Sequence, residues 1–205
     1  VAGVNAGNSI TSGGNYNVLI GDEAGTAITT GDNNVAIGFE ALATEDANGD
    51  NVAIGYRALK TLNAGADSFN TAVGYLAGTN MTTGIENAIF GSFAGDALTD
   101  ADYNVAIGGS TLSADTKGNR SVAVGFGALA AQNFTTSTDS HNTAVGNNSG
   151  NDITTGVSNT FIGSQSGEKL IDANYNVGLG HYALAADTKG SNSVALGYGA
   201  LSAQN

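Results

Sequence analysis

The chain has 205 residues, with 18 acidic and 6 basic side chains, a net charge of -12, and neither cysteine nor proline. Such a charge argues against a nucleic-acid partner, and the lack of thiols excludes disulfides and cysteine-based metal sites. No apolar run reaches the ~18 residues of a membrane span, and no charged-then-apolar leader opens the chain, so any export signal or anchor is expected outside it. With 31 glycines and no proline, the turns rely on glycine and asparagine.

From the N-terminus onward one glycine recurs, at Gly3, Gly21, Gly38, Gly55, Gly74, Gly91, Gly108, Gly125, Gly146, Gly163, Gly180 and Gly197. Eight of the eleven intervals are 17 residues, and the others are 18, 19 and 21. A period this regular marks stacked repeats, in which each coil buries its apolar side against its neighbours. Counting this glycine as slot 0, slot -4 is Asn17, Asn34, Asn51, Asn70, Asn87, Asn104, Asn142, Asn159 or Asn176, with Ser121 and Ser193 as exceptions. Slot -3 is Val or Thr, with one Ala, and slot -2 is mostly Ala, with Leu19, Ile89, Phe161 and Gly178 as variants. Slot -1 is always large and apolar, from Ile20 through Phe90 to Leu196.

Short β-branched runs between Asn and Gly read as strands, whose successive side chains face opposite sides. Slots -2 and -1 are adjacent and both apolar, so both faces of the strand call for burial. One face packs inside its own coil; the other requires further chains around a shared axis. The fixed glycine implies a positive φ or a close backbone approach. The Asn column is either a ladder of amides hydrogen-bonded along the stack or a set of turn residues.

A longer rhythm sits beyond the glycine. Slot +4 runs Gly7, Gly25, Leu42, Leu59, then Gly78, Gly95, Leu112, Leu129, then Gly150, Gly167, Leu184, Leu201. Where slot +4 is Gly, slot +7 supplies Ile10, Ile28, Met81, Leu98, Ile153 or Leu170. Where it is Leu, slot +7 is Glu45, Asp115, Gln132, Asp187 or Gln204, with Leu62 the exception. Constant packing volume implies one large side chain per coil, supplied from either slot. The chain is thus one repeat domain, 1–205, in four-coil units of about 1–73, 74–145 and 146–205, and ADTKG at 114–118 returns at 186–190. Longer intervals fall in the fourth coil of a unit, at Thr61–Ser68 and Ala131–Ser140, as loops bulging sideways. At ~4.8 Å per coil the rod is roughly 55 Å long. With no capping segment visible, the expectation is a longer fibre or end-to-end stacking.

NVAIG, SVAVG and NSVALG resemble the head repeats of trimeric autotransporter adhesins and the related β-roll repeats of phage tail fibres. The resemblance covers the whole chain. It implies an all-β, left-handed parallel β-roll, a β-solenoid of about twelve coils of ~17 residues, in a homotrimer with a role in attachment. The coil is longer than an adhesin head repeat of about 14 residues, and no neck or stalk accompanies it.

Other chemistry fits less well. Thr29–Gly31, Thr82–Gly84, Thr154–Gly156 and Thr11–Gly13 would form a broken rank on an ice-binding face, and read as turns. Asp32, Asp46, Asp50, Asp100, Asp102, Asp152 and Asp172 sit in turns that suit Ca²⁺ but lack an EF-hand or nonapeptide pattern, so they read as solvated. His141 and His181 occupy unrelated slots with no nucleophile beside them. Asp115 and Asp187 are equivalent and about four coils apart, too far to flank one glycosidic bond as a tailspike-type enzyme requires. Phe39, Tyr56, Tyr75, Phe126 and Tyr198 at slot +1, and Tyr16, Tyr103 and Tyr175 at slot -5, read as corner or seam packing. The expectation is therefore a non-catalytic fibre or adhesin segment without cofactor or metal, extracellular, on the cell surface or on a virion. It pairs with itself and with a surface or host receptor, glycan or protein. The expected contact loops centre on Thr61, Asn63, Asp67, Ser68, Asn133, Phe134, Thr135 and Asp139, since loops on a rigid frame carry recognition. The alternatives are a structural filament stacked end to end and, more distantly, an ice-binding protein or a polysaccharide-cleaving tailspike.

Overall fold

Slots -3 to -1 become a three-residue strand in coil after coil. In the computed structural model, which describes residues 2–203, these are β1 (Val18–Ile20), β2 (Val35–Ile37), β3 (Val52–Ile54), β4 (Thr71–Val73), β5 (Ala88–Phe90), β6 (Val105–Ile107), β8 (Val122–Val124), β10 (Thr143–Val145), β11 (Thr160–Ile162), β12 (Val177–Leu179) and β13 (Val194–Leu196). They pair in parallel, in that order, as one 11-stranded sheet, slot on slot, as Val35↔Val52 and Ile37↔Ile54 show. Ala2 adds a bridge to Ile20 ahead of β1. Two-residue strands β7 (Gly118–Asn119) and β9 (Thr138–Asp139) pair beside the second long loop. No helix occurs among the described residues. The protein is a parallel β-solenoid of about eleven coils, and Gln204 lies outside the described residues.

The fixed glycine serves both functions expected of it. Its φ is +136° at Gly91, and a Cβ there would stand 2.5 Å from the carbonyl oxygen of Gly108 in the next coil. The same clash with the next glycine repeats up the stack, because each Gly N–H donates to slot -1 of the coil before, as in Gly38 N to Ile20 O at 2.7 Å. Parallel coils can close to strand spacing at this corner only without side chains.

The Asn column is a ladder. Asn34 Oδ1 accepts from Asn51 N at 3.1 Å, Asn70 Oδ1 from Asn87 N at 3.0 Å and Asn159 Oδ1 from Asn176 N at 3.0 Å. Each Nδ2 turns to a carbonyl, as Asn104 does to Gly118 O at 2.9 Å. These amides are buried, where an unmade hydrogen bond costs about 1–3 kcal/mol. Each Asn thus ties its coil to the next. Asp32 and Asp102, among the turn aspartates, work similarly at slot -6, accepting from Asn15 N at 2.6 Å and Ile85 N at 2.9 Å. The threonines of the Thr-Thr-Gly turns also bond along the stack, Thr29 Oγ1 donating to Asp46 O at 3.0 Å.

The core differs from the one-large-side-chain expectation. Slot +4 is left-handed whichever residue holds it, with φ +56° at Gly25 and +51° at Leu42. Leu42, Leu59, Leu112, Leu129 and Leu184 are fully buried, as are Ile28, Met81, Leu98, Ile153 and Leu170 at slot +7. A third slot shares the volume. The coils of β1, β5 and β11 carry the large slot -2 residues Leu19, Ile89 and Phe161, and in each of them slot +4 is Gly. A Cβ on Gly25 would lie 2.7 Å from Leu19 Cδ2, and one on Gly167 2.6 Å from Phe161 Cε1. The exchange runs between coils as well, since Gly178 faces Phe161, whose Cδ1 lies 3.1 Å from where its Cβ would be.

Candidate functional site

Strand alternation settles which apolar slot faces out. Slots -4, -2 and 0 point into the coil; slots -5, -3, -1 and +1 point away. Leu19 is 1% exposed, whereas its neighbours Val18 and Ile20 are 45% and 44% exposed. Ala36, Ala53, Ala72, Ala106, Ala123 and Ala144 are fully buried, and the outward Val, Thr and Ile of the same strands are half-buried or exposed. The 22 outward side chains at slots -3 and -1 of the eleven long strands include no charge, in a chain carrying 24 charged residues. Eleven three-residue strands, at ~4.8 Å spacing and ~3.3 Å per residue, give an uncharged strip on the order of 500 Å². That strip matches the upper part of the roughly 300–600 Å² that the largest apolar patch of a monomer covers, a patch that often serves binding.

Two aromatic columns border this face. At slot +1, Phe39 and Tyr56 stack at 5.4 Å and 14° and Tyr56 and Tyr75 at 5.1 Å and 11°, and Phe93, at slot +2 of the next coil, closes edge-on at 5.3 Å from Tyr75. The rings spend their faces on one another and present edges outward, as packing at a corner requires. Arg57 lies over Tyr56, 5.0 Å from its centroid. Its Nε donates to Glu40 Oε2 at 2.6 Å, which also receives Lys60 Nζ at 2.8 Å. The Lys60 contact, then Arg57, holds the Glu40 carboxyl below its ordinary range. At slot -5 stand Tyr16, Phe69, Tyr103 and Tyr175, all exposed and all left-handed. His141 is exposed in the same column, and His181 stacks on Tyr182 at 4.0 Å.

The inserted loops lie apart from the strands of this face and divide into surface and anchor. Asn63, Asp67, Asn133, Thr135 and Asp139 are exposed. Thr61 is half-buried, its Oγ1 donating to Thr79 O and Met81 O, both at 2.9 Å. Ser68 and Phe134 are buried and hold their loops down from inside. Ser68 Oγ donates to Asn51 Oδ1 at 2.8 Å, and the Phe134 ring packs on Gly118. Asp139 pairs with Arg120 at 3.2 Å.

Sequence reasoning missed the buried carboxylates beneath these loops, because an isolated acid in a turn-like slot reads as solvated. Asp115 is fully buried. Its Oδ1 accepts from Gly118 N at 3.1 Å and Phe134 N at 3.0 Å, and its Oδ2 from Gln132 Nε2 at 2.6 Å. Gln132 also bonds Ser121 and Asn142, bridging the gap that Ser121 leaves in the Asn ladder. Asp187 accepts from Gly190 N at 2.8 Å. Glu45 is equally buried, but Leu62 stands where Gln132 stands in the next unit. Its Oε1 accepts from Asn48 Nδ2 at 3.1 Å, while Oε2 has no partner. Burial therefore raises the Glu45 carboxyl above its ordinary value, against hydrogen bonds from Asn48.

A raised folded-state value means that ionised Glu45 opposes folding. Stability is highest below the unfolded value of about 4.3, falls as pH rises toward the folded value, and stays lower above it. Glu45→Gln is expected to remove that slope and to raise Tm at pH 7.5 by about 2–4 °C, the shift that ~1 kcal/mol produces in a chain of this size. Thermal melts at pH 4 and 7.5 check this; equal Tm differences at both pH values would count against the buried charge.

Among the described residues, no three Asp, Glu or His side chains gather as metal ligands. Asp100 and Asp152 pair with Lys117 and Lys169, at 3.3 and 3.1 Å. Among the described residues no helix is long and apolar enough to cross a membrane. No family model, curated protein or solved structure matches the chain.

Proposed function

We propose that this chain is a non-catalytic fibre or adhesive segment, displayed outside the cell or on a virion. It assembles with copies of itself into a homotrimer and attaches to a surface or host receptor through repeated lateral contacts. The observation behind this reading is the long outward sheet face without a single charge, on a chain of net charge -12. With the bordering columns at slots -5 and +1 included, about 20 Å across, the face spans on the order of 1,000 Å² per copy, which meets what a stable interface takes from each partner, about 800 Å². The left-handed turn and three-chain symmetry implied by the adhesin-like repeats belong to the same reading. The exposed loop residues Asn63, Asp67, Asn133, Thr135 and Asp139 repeat on each copy, so weak contacts sum to avidity.

The mass in solution and attachment test different parts of this reading. Light scattering is expected to give three times the 20.2 kDa chain mass; a stable monomer overturns the assembly. Replacing both loops by the short connection of the neighbouring coils is expected to leave the mass unchanged and lower attachment at least tenfold, as loss of multivalent contacts does. Undiminished attachment removes the loops from the reading. Long polymers of uniform width in micrographs would favour a structural filament instead.

A further inference from the structure

We infer that residues 64–67 of the first inserted loop form a pH-gated lid over Glu45, closed while the carboxyl is protonated and lifting to admit water when it ionises. Glu45 and Asp115 are buried at the same slot, +7, and each precedes a coil that carries an inserted loop. The two are held alike at two points. The N–H three residues on donates to the acid, Asn48 N to Glu45 Oε1 at 3.3 Å and Gly118 N to Asp115 Oδ1 at 3.1 Å. The slot +9 N–H of the loop, from Ala64 or Phe134, also turns to the carboxyl. They part at the second oxygen. Asp115 Oδ2 accepts from Gln132, whereas Leu62 takes the place of Gln132 beside Glu45, and Oε2 has no protein partner. A buried carboxylate oxygen without a donor must reach water or stay neutral.

The loop is the thinnest cover over this group. Slot +7 of the coils on either side is Ile28 or Leu62, both fully buried. Residues 64–67 exchange no backbone–backbone hydrogen bond with the rod, and Gly65, Ala66 and Asp67 are exposed. Nothing lies within 4 Å of where a Cβ on Gly65 would stand. The second loop, in contrast, is pinned by Thr138 N to Lys117 O at 3.2 Å and Ser140 N to Asn119 O at 3.0 Å. Both ends of the lid are fixed, Asn63 N donating to Thr82 O and Ser68 Oγ to Asn51 Oδ1, each at 2.8 Å, so the residues between them can lift while the strands stay paired. The groups acting on the Glu45 carboxyl are neutral: the Asn48 side chain and the N–H groups of Asn48, Ala64 and Asp46. The charged side chains around it are engaged elsewhere. Asp46 accepts from Ala47 N at 2.5 Å, Asp67 from Gly49 N at 3.0 Å, and Lys60 pairs with Glu40.

Residue-resolved amide exchange, corrected for the intrinsic effect of pH, reads the opening. The amides of Ala64 and Gly49, which turn to Glu45 and Asp67, are expected to lose about fivefold in protection between pH 4 and pH 7.5, the factor that ~1 kcal/mol represents. The strand amides of Ala53 and Ala72, and the Phe134 amide over Asp115, should lose none of theirs to Glu45. Glu45→Gln, which leaves Asp67 in place, is expected to hold Ala64 and Gly49 equally at both pH values. Equal protection in the unaltered chain, or the same loss in Glu45→Gln, overturns the lid. A loss shared by Ala53 and Ala72 also overturns it, since the whole coil would then be the opening unit. This readout needs neither a receptor nor a second copy. Only the consequence rests on the reading above: with Asn63 and Asp67 as contacts, attachment at pH 7.5 should be stronger for Glu45→Gln. Unchanged attachment alongside the exchange difference removes the loop as a contact and leaves the lid standing.

Discussion

Gly91→Ala is expected to cost about 3–5 kcal/mol, the sum of a backbone region reserved for glycine and an overpacked contact. The Cβ would meet a backbone oxygen, Gly108 O at 2.5 Å, and backbone cannot rotate aside as a side chain can. Relief requires the coils of β5 and β6 to separate, which breaks the hydrogen bond from Gly108 N to Phe90 O, 2.7 Å long, and weakens the Asn87–Asn104 rung beside it. Because a solenoid's stability is a sum over neighbouring coils, the damage should appear as a split or broadened transition, not as uniform loss. Gly65→Ala is the control, for its φ is +73° and nothing lies within 4 Å of the added Cβ; it is expected to cost about 1 kcal/mol. Urea unfolding followed by circular dichroism compares the two, and equal losses would mean that the glycine column is not the close-contact corner of the stack.

The features written as columns are legible in the order of residues alone. The fixed glycine, the Asn slot and the Gly/Leu exchange between slots +4 and +7 recur at one spacing, and parallel in-register stacking turns spacing directly into contact. Ala36 or Ala53 as interior and Ile37 or Ile54 as exterior is within reach of alternation, since slots -4, -2 and 0 form one parity. It requires knowing that the Asn amides bond within the stack, which places their parity inside. What the spacing does not carry is whatever one unit does once. Glu45, Asp115 and Asp187 share a slot, yet only the fold shows loop backbone lying over Asp115 and donating to it. Ser68 and Phe134 read as exposed for the same reason: a loop's composition does not reveal which of its residues turn back to plug it.

The trade between slot -2 and slot +4 gives the sharpest test of how the core is specified. Phe161→Ala is expected to cost about 3–5 kcal/mol, as large-to-small changes at fully buried rings do. Gly167→Leu alone should also destabilise, by about 1–3 kcal/mol or more, because its Cβ would stand 2.6 Å from Phe161 Cε1. The two changes remove and add similar volume in one space. Together they give the coil of β11 the trio found in the coil of β3, where Ala53, Leu59 and Leu62 are all fully buried. Leucine at slot +4 accepts the backbone without rearrangement, since Leu59 has φ +48° and Gly167 +63°. The double variant is therefore expected to lose less than Phe161→Ala alone, with a coupling of about 0.5–3 kcal/mol in the favourable direction. Remaining losses should fall on the gap beside Gly178, whose missing side chain complements the Phe161 ring. Additive losses in urea titrations of the four proteins would mean that each slot is specified separately, and that the four-coil rhythm reflects something other than a constant interior volume.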